Sequence, residues 1–139
     1  MNTTPNLYGL SLQSLQDLTT RLGLETYRAT QLAEWLYRHE VSEISGMTNL
    51  PLDVRDALER GFEIRKLRPS GQQRSRDGSS KYLFEKPGAP LSRFETVAIP
   101  DADRMTVCVS TQSGCRMGCR FCHTAMAGFG GQLGPDEVL

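Results

Sequence analysis

The chain has 139 residues, is 38% hydrophobic, and carries sixteen Lys and Arg against sixteen Asp and Glu, which suits a folded globular protein and excludes a disordered tail. No stretch approaches the roughly 20 apolar residues of a membrane span, and Met1 to Tyr8 lacks the basic-then-apolar pattern of a secretory leader. The expected location is therefore the cytoplasm, where reducing conditions argue against reading the four cysteines as a disulfide framework.

The length accommodates one small domain and the beginning of another. Three helices are expected in residues 1–64. Ser11 is suited to cap the first, in which Leu15, Leu18 and Leu22 recur at helical spacing before Gly23 stops it. A second follows Thr26, with Ala29, Leu32, Ala33 and Leu36 on one stripe. Trp35 and Tyr37 flank that stripe and read as core or rim packing rather than a base-stacking platform. A third begins near Pro51, in a first-turn position, buries Val54, Ala57 and Leu58, and ends by Gly61.

The character changes after residue 64. Residues 1–64 hold five Lys and Arg against nine Asp and Glu, whereas residues 65–94 hold eight against only Asp77 and Glu85. Such a local excess attracts a polyanion by displacing its counterions; the plainer alternative is a solvated hairpin surface. Asp77-Gly78 is a hairpin-turn dipeptide that leads into a strand over Lys81–Glu85. Pro87, Gly88 and Pro90 interrupt it, and Phe94–Ile99 and Met105–Ser110 read as two further strands. From Thr111 to Gly134 the glycine-rich sequence reads as loop, and Pro135–Leu139 as the first turn of a helix whose acids suit its positive end. The expected organisation is a helical domain (1–64), a basic hairpin or linker (65–94) and a third region (95–139) built around the cysteines.

Cys115, Cys119 and Cys122 form a C-x3-C-x2-C motif. A 4Fe–4S cube has four irons and is normally held by four thiolates; three cysteines leave one iron open for a ligand, as at a catalytic metal with a vacant position. S-adenosylmethionine fills such a position, and Phe121 between the last two ligands would shield the cube from water. Other readings stay open on the residues alone. Cys119 to His123 matches the C-x-x-C-H of a c-type haem site, though Cys115 is then left over. A zinc site would add Cys108 or His123 to the three cysteines. His123 reads most simply as a loop residue.

Across Phe94–Phe129 the sequence resembles the radical S-adenosylmethionine adenine-C-methyltransferases of 23S ribosomal RNA, a family that also modifies some transfer RNAs. The likeness lies in the three-cysteine motif, the Gln112-x-Gly114-Cys115 approach, Thr124-Ala125, Gly128-Phe129, Glu95-Thr96 and Cys108-Val109-Ser110. Tyr27–Gln31, Trp35–Tyr37 and Asp77–Lys81 are similar to the family's amino-terminal part. The resemblance implies an α+β to α/β fold: a small helical RNA-binding domain, a β-hairpin, then the first strands and cluster loop of a partial α/β barrel.

It also implies residue roles. Cys115, Cys119 and Cys122 match the cluster ligands, Glu95 the general base that removes the adenine proton, and Cys108 the thiol that resolves a methyl-carrying cysteine. Taken alone, Glu95 reads as a solvent-facing carboxylate and Cys108 as a small buried hydrophobe. The implied cofactors are a 4Fe–4S cluster and S-adenosylmethionine. The implied partners are ribosomal RNA, transfer RNA and an electron donor, with no membrane and a monomeric full-length state. The methyl-carrying cysteine and most of the barrel have no counterpart here, so these 139 residues are expected to be an incomplete copy, inactive alone. His123 and the Gly130–Leu133 segment, which lacks a basic residue, depart from the family pattern in small ways. The alternative function is a non-catalytic RNA-binding module with a vestigial cysteine loop.

Overall fold

The computed structural model describes residues 4–86 and 88–139; Pro87, one of the expected strand interruptions, lies outside them. Two compact units divide between Lys66 and Leu67.

The first unit is built on leucines at helical spacing. Helix α1 (Leu12–Arg21) is capped by Ser11, whose hydroxyl accepts the Ser14 N–H at 3.1 Å. Its Leu15 and Leu18 are buried, but Leu22 stands past the helix end and is largely exposed. Helix α2 (Tyr27–Tyr37) buries Ala29, Leu32 and Leu36, and helix α3 (Leu52–Gly61) buries Val54 and Leu58. Pro51 is the residue before α3 rather than part of its first turn, which equally spares a helical hydrogen bond. The core also takes Leu7, Ile44, Met47 and Leu50 from the segments between helices, where no periodicity announces burial. Trp35 and Tyr37 serve packing and loop fastening. The Trp35 indole donates to Asn49 Oδ1 at 2.5 Å and lies 4.7 Å from the His39 ring, while the Tyr37 hydroxyl donates to Leu10 O at 2.7 Å.

The second unit is a four-stranded antiparallel sheet in the order β1-β2-β3-β4 and a two-stranded antiparallel sheet of β5 and β6. The strands are β1 (Gly71–Arg74), β2 (Ser80–Lys86), β3 (Ala89–Asp101), β4 (Arg104–Cys108), β5 (Gln112–Gly114) and β6 (Phe129–Gln132). Two short helices, α4 (His123–Met126) and α5 (Pro135–Val138), complete it.

Several expectations change here. Asp77-Gly78 does turn a hairpin, but in a three-residue loop: Gly78 N–H reaches Ser75 O at 3.1 Å, and only Gly78 of the three is left-handed, at φ +87°. That is a turn followed by a left-handed bulge residue, the usual geometry for this loop length. Strand β3 passes through Pro90 and Pro100 instead of being interrupted. Pro90 falls where the register with β2 shifts between Glu85↔Arg93 and Lys86↔Ala89, and Pro100 lies past the last β2 pair, Ser80↔Ala98. At neither place is a ladder donor required. The strand also runs without a break across 94–95, where a domain boundary was expected. Strand β4 stops at Cys108, short of Ser110, and the expected loop from Thr111 contains β5, α4 and β6. The three longer helices gather in one unit and the named strands, with two four-residue helices, in the other, an α+β arrangement; among the described residues, every pairing of named strands is antiparallel.

Candidate active site

Strand alternation decides which side chains meet on the sheet. Directly paired residues share a face, so the pairs Leu83↔Glu95, Lys81↔Val97 and Val97↔Cys108 set Lys81, Leu83, Glu95 and Cys108 on the same side. Glu95 accepts from Lys81 Nζ at 3.0 Å, with both side chains about half exposed. The Glu95 backbone carbonyl also accepts from Ser110 Oγ at 2.7 Å, tying the segment after β4 to β3. Cys108, the last residue of the edge strand, is an exposed free thiol. It does not pack as a buried hydrophobe.

The cysteine loop is anchored to this sheet at its base. Strands β5 and β6 pair Gln112↔Gln132, Ser113↔Gly131 and Gly114↔Phe129, bringing the two ends of the loop together. Gly114 has φ +71°, and a Cβ there would lie 1.9 Å from Gly128 O, so only glycine fits. This closeness lets Cys115 N–H donate to Gly128 O at 2.9 Å. Ser113 Oγ donates to Arg93 O at 2.8 Å and Ser92 Oγ to Gly130 O at 3.1 Å. A Cβ on Gly130 would sit within 2.7 Å of both hydroxyls. Two serines and two glycines thus hold the loop against β3, and none of them stands out in the sequence as a site residue, because their work is close approach rather than chemistry.

As a result Glu95 and the loop share a cavity of about 310 Å³, lined among others by Arg93, Ser110, Gln112, His123 and Thr124. Lys86 fastens the far end: its ammonium donates to Gln132 O at 3.0 Å and pairs with Glu137 at 3.1 Å.

Cys115, Cys119 and Cys122 are free thiols of intermediate exposure. Cys122 precedes α4, and its own N–H donates to Cys119 O at 3.1 Å. Its thiol is held below the ordinary cysteine value by hydrogen bonds from the backbone of Ala125 and then Thr124, against a smaller opposing effect of burial. A helix start favours a thiolate for this reason. Among the described residues no three Cys, His, Asp or Glu side chains converge into a formed metal site. The donor set is nevertheless that of an iron–sulfur cluster: three soft thiols on one short loop, each with solvent access, and one already biased toward the thiolate. Phe121, between the last two of these cysteines, is 92% exposed.

Known proteins point the same way. Residues 5–64 match the model of the ribosomal RNA large subunit methyltransferase N-terminal domain. The chain is 42% identical over 133 residues to the probable dual-specificity RNA methyltransferase RlmN of Phocaeicola vulgatus, spanning 96% of this chain and 38% of that protein. Over 134 residues it is 41% identical to the dual-specificity RNA methyltransferase RlmN of Solidesulfovibrio magneticus, with the same two coverages. A crystal structure of a radical SAM methyltransferase from Sphaerobacter thermophilus superposes with a TM-score of 0.78 at 36% identity, over 95% of this chain and 39% of that one. The chain therefore spans little more than a third of the length of the relatives it matches. By its matched amino-terminal domain and by identity along nearly its whole length, the chain is similar to the amino-terminal part of the RlmN RNA methyltransferases.

Proposed function

We propose that this chain supplies the RNA-binding domain, the cluster loop and part of the catalytic face of a radical S-adenosylmethionine enzyme that methylates carbon 2 of adenine in 23S ribosomal RNA and transfer RNA. The observation that carries the reading is the anchoring of the cysteine loop on β3, which gives Glu95 and the loop residues His123 and Thr124 a common cavity. Cys115, Cys119 and Cys122 are the residues that would hold the cluster. Once bound with S-adenosylmethionine, the cluster supplies the electron for one-electron chemistry on a carbon too weakly nucleophilic for polar methylation.

The chain's own residues then have distinct tasks. Glu95, which lines the cavity shared with the loop, takes the proton lost from the adenine ring carbon; its carboxylate pairs with Lys81 at 3.0 Å. Cys108, exposed at the end of β4, provides the thiolate that would attack the sulfur of a methyl-carrying cysteine while that cysteine is bonded through its carbon to the base, so that the S–S bond forms as the S–C bond breaks and its electron pair leaves with the methylated base. A base splayed out of its stack, as RNA enzymes require, is needed for either group to reach the ring. The partial α/β barrel, a cytoplasmic location, an external electron donor and a monomeric full-length enzyme belong to the same reading. No helix among the described residues is long and apolar enough to cross a membrane.

Anaerobic reconstitution with iron and sulfide tests it. The expected result is brown protein whose visible absorbance changes when S-adenosylmethionine is added, and colourless protein when Cys115, Cys119 or Cys122 is replaced by Ala. Zinc in place of iron, or a loop that takes up no iron, would overturn the reading; colourless protein that still binds structured RNA would instead support a binding module.

A further inference from the structure

The basic segment of residues 65–94 does not present its charges equally. Four of its eight cations are neutralised within the protein: Arg65 by Glu63, Lys81 by Glu95, Lys86 by Glu137 and Arg93 by Glu85, all at 2.9–3.1 Å. Lys66 spends its ammonium on Glu40 O at 2.7 Å. Of the remaining three, Arg68 lies on irregular chain before β1, whereas Arg74 and Arg76 stand at the end of the β1–β2 hairpin, exposed and without an ion-pair partner among the described residues.

That hairpin end is built to hold its shape. Asp77, the one acid in it, is exposed and accepts both the N–H and the hydroxyl of Ser79, at 3.0 and 3.1 Å. Gly78 is left-handed, and a Cβ there would be 3.1 Å from Pro100 Cγ, so the turn leans on β3. Ser75 N–H closes the loop on Ser79 O at 2.8 Å. Two guanidiniums two residues apart on a fixed turn give up little freedom on binding, and guanidinium is the cation best matched to phosphate oxygens.

We propose that Arg74 and Arg76 form the contact of this unit with the RNA phosphate backbone, and that the ion-paired cations of the same segment do not. The inference rests on the RNA reading above and narrows it to two residues. The contact is independent of base sequence, since hairpin-tip arginines on phosphates position the RNA without reading it.

The test is the salt dependence of binding of the 139-residue chain to an unmodified transfer RNA transcript. Each phosphate contact contributes close to one unit to the slope of log K against log salt. The double variant R74Q/R76Q is expected to lower that slope by about two and to weaken binding about tenfold or more near 0.1 M salt. R104Q, which removes a cation already paired with Asp101 at 3.1 Å, is expected to leave the slope unchanged, and R74K/R76K to retain it because the charge stays. Thermal midpoints measured in parallel show whether each variant is folded. An unchanged slope in folded R74Q/R76Q overturns the assignment while the RNA reading stands. Failure of the unaltered chain to bind the transcript overturns both.

Discussion

The two units solve the problem of stability in opposite ways. In residues 4–66 eleven apolar side chains form one buried core, with Leu7, Leu15, Leu36, Met47 and Leu58 wholly inaccessible. Among the described residues of 67–139, Phe94 is the one large hydrophobic residue that is buried, and its ring stacks on Phe84 at 5.5 Å. Met105 and Val107 on β4 are 60% and 55% exposed. The first unit is held by burial and the second by backbone ladders, serine and lysine ties and glycine contacts. The lesson is that two neighbouring stretches of one chain can hold their shape by different means, burial of apolar side chains in one and backbone pairing with close glycine contacts in the other.

Mutations that attack each mode of stabilisation sharpen the contrast. Leu36→Ala in α2 should cost about 3–5 kcal/mol, the range for a fully buried leucine, whereas Val107→Ala on β4 should stay within about 0.5 kcal/mol; urea unfolding of both variants measures the difference. Equal costs would show that β4 is packed in solution after all.

Gly114→Ala should be the most damaging change in the second unit, at about 1–3 kcal/mol of local strain. It forces the Gly114–Gly128 approach apart and breaks the Cys115 bond to Gly128 O. Hydrogen exchange would report a Cys115 amide no longer protected, with the first unit unaffected.

Ala102 is a non-glycine residue at φ +51° in the two-residue turn between β3 and β4. Ala102→Gly relieves that strain and should stabilise the hairpin by about 0.5–1 kcal/mol. A rise in the thermal midpoint of the second unit is the expected readout; a fall would mean that the turn is not strained.

The smallest effect concerns pH. Because the folded state lowers the Cys122 thiol, its thiolate persists as pH falls below the ordinary thiol range. Any stability it lends is present above the unfolded value and is lost as pH drops through the folded one. Site-resolved alkylation should therefore show Cys122 still reacting at a pH where an unfolded-peptide cysteine has ceased to; half-reaction at the ordinary value would remove the effect of the α4 amides.

How much was legible depends on the distance over which each signal acts. The three helices follow from leucine spacing and the Ser11 cap, and the β1–β2 turn from Asp77-Gly78, because these signals lie within a few residues of the structure they cause. The cysteine motif is equally local: three thiols within eight residues are legible as a candidate site before any fold is known. Strand β1, Gly-Gln-Gln-Arg, carries no β-branched or aromatic residue and exists because β2 offers it a ladder.

The sequence by itself determined the helical core, the hairpin turn and the spacing of the three cysteines. Tertiary structure alone decided that Gln112–Gly114 pairs with Phe129–Gln132, that β3 runs through two prolines, and that Glu95 shares a face with Cys108 and a cavity with the cysteine loop. The physical reason is that these depend on pairing register and on glycines allowing backbones to touch across fifteen or more residues, as Gly114 and Phe129 do. Neither quantity leaves a periodic mark on a single chain.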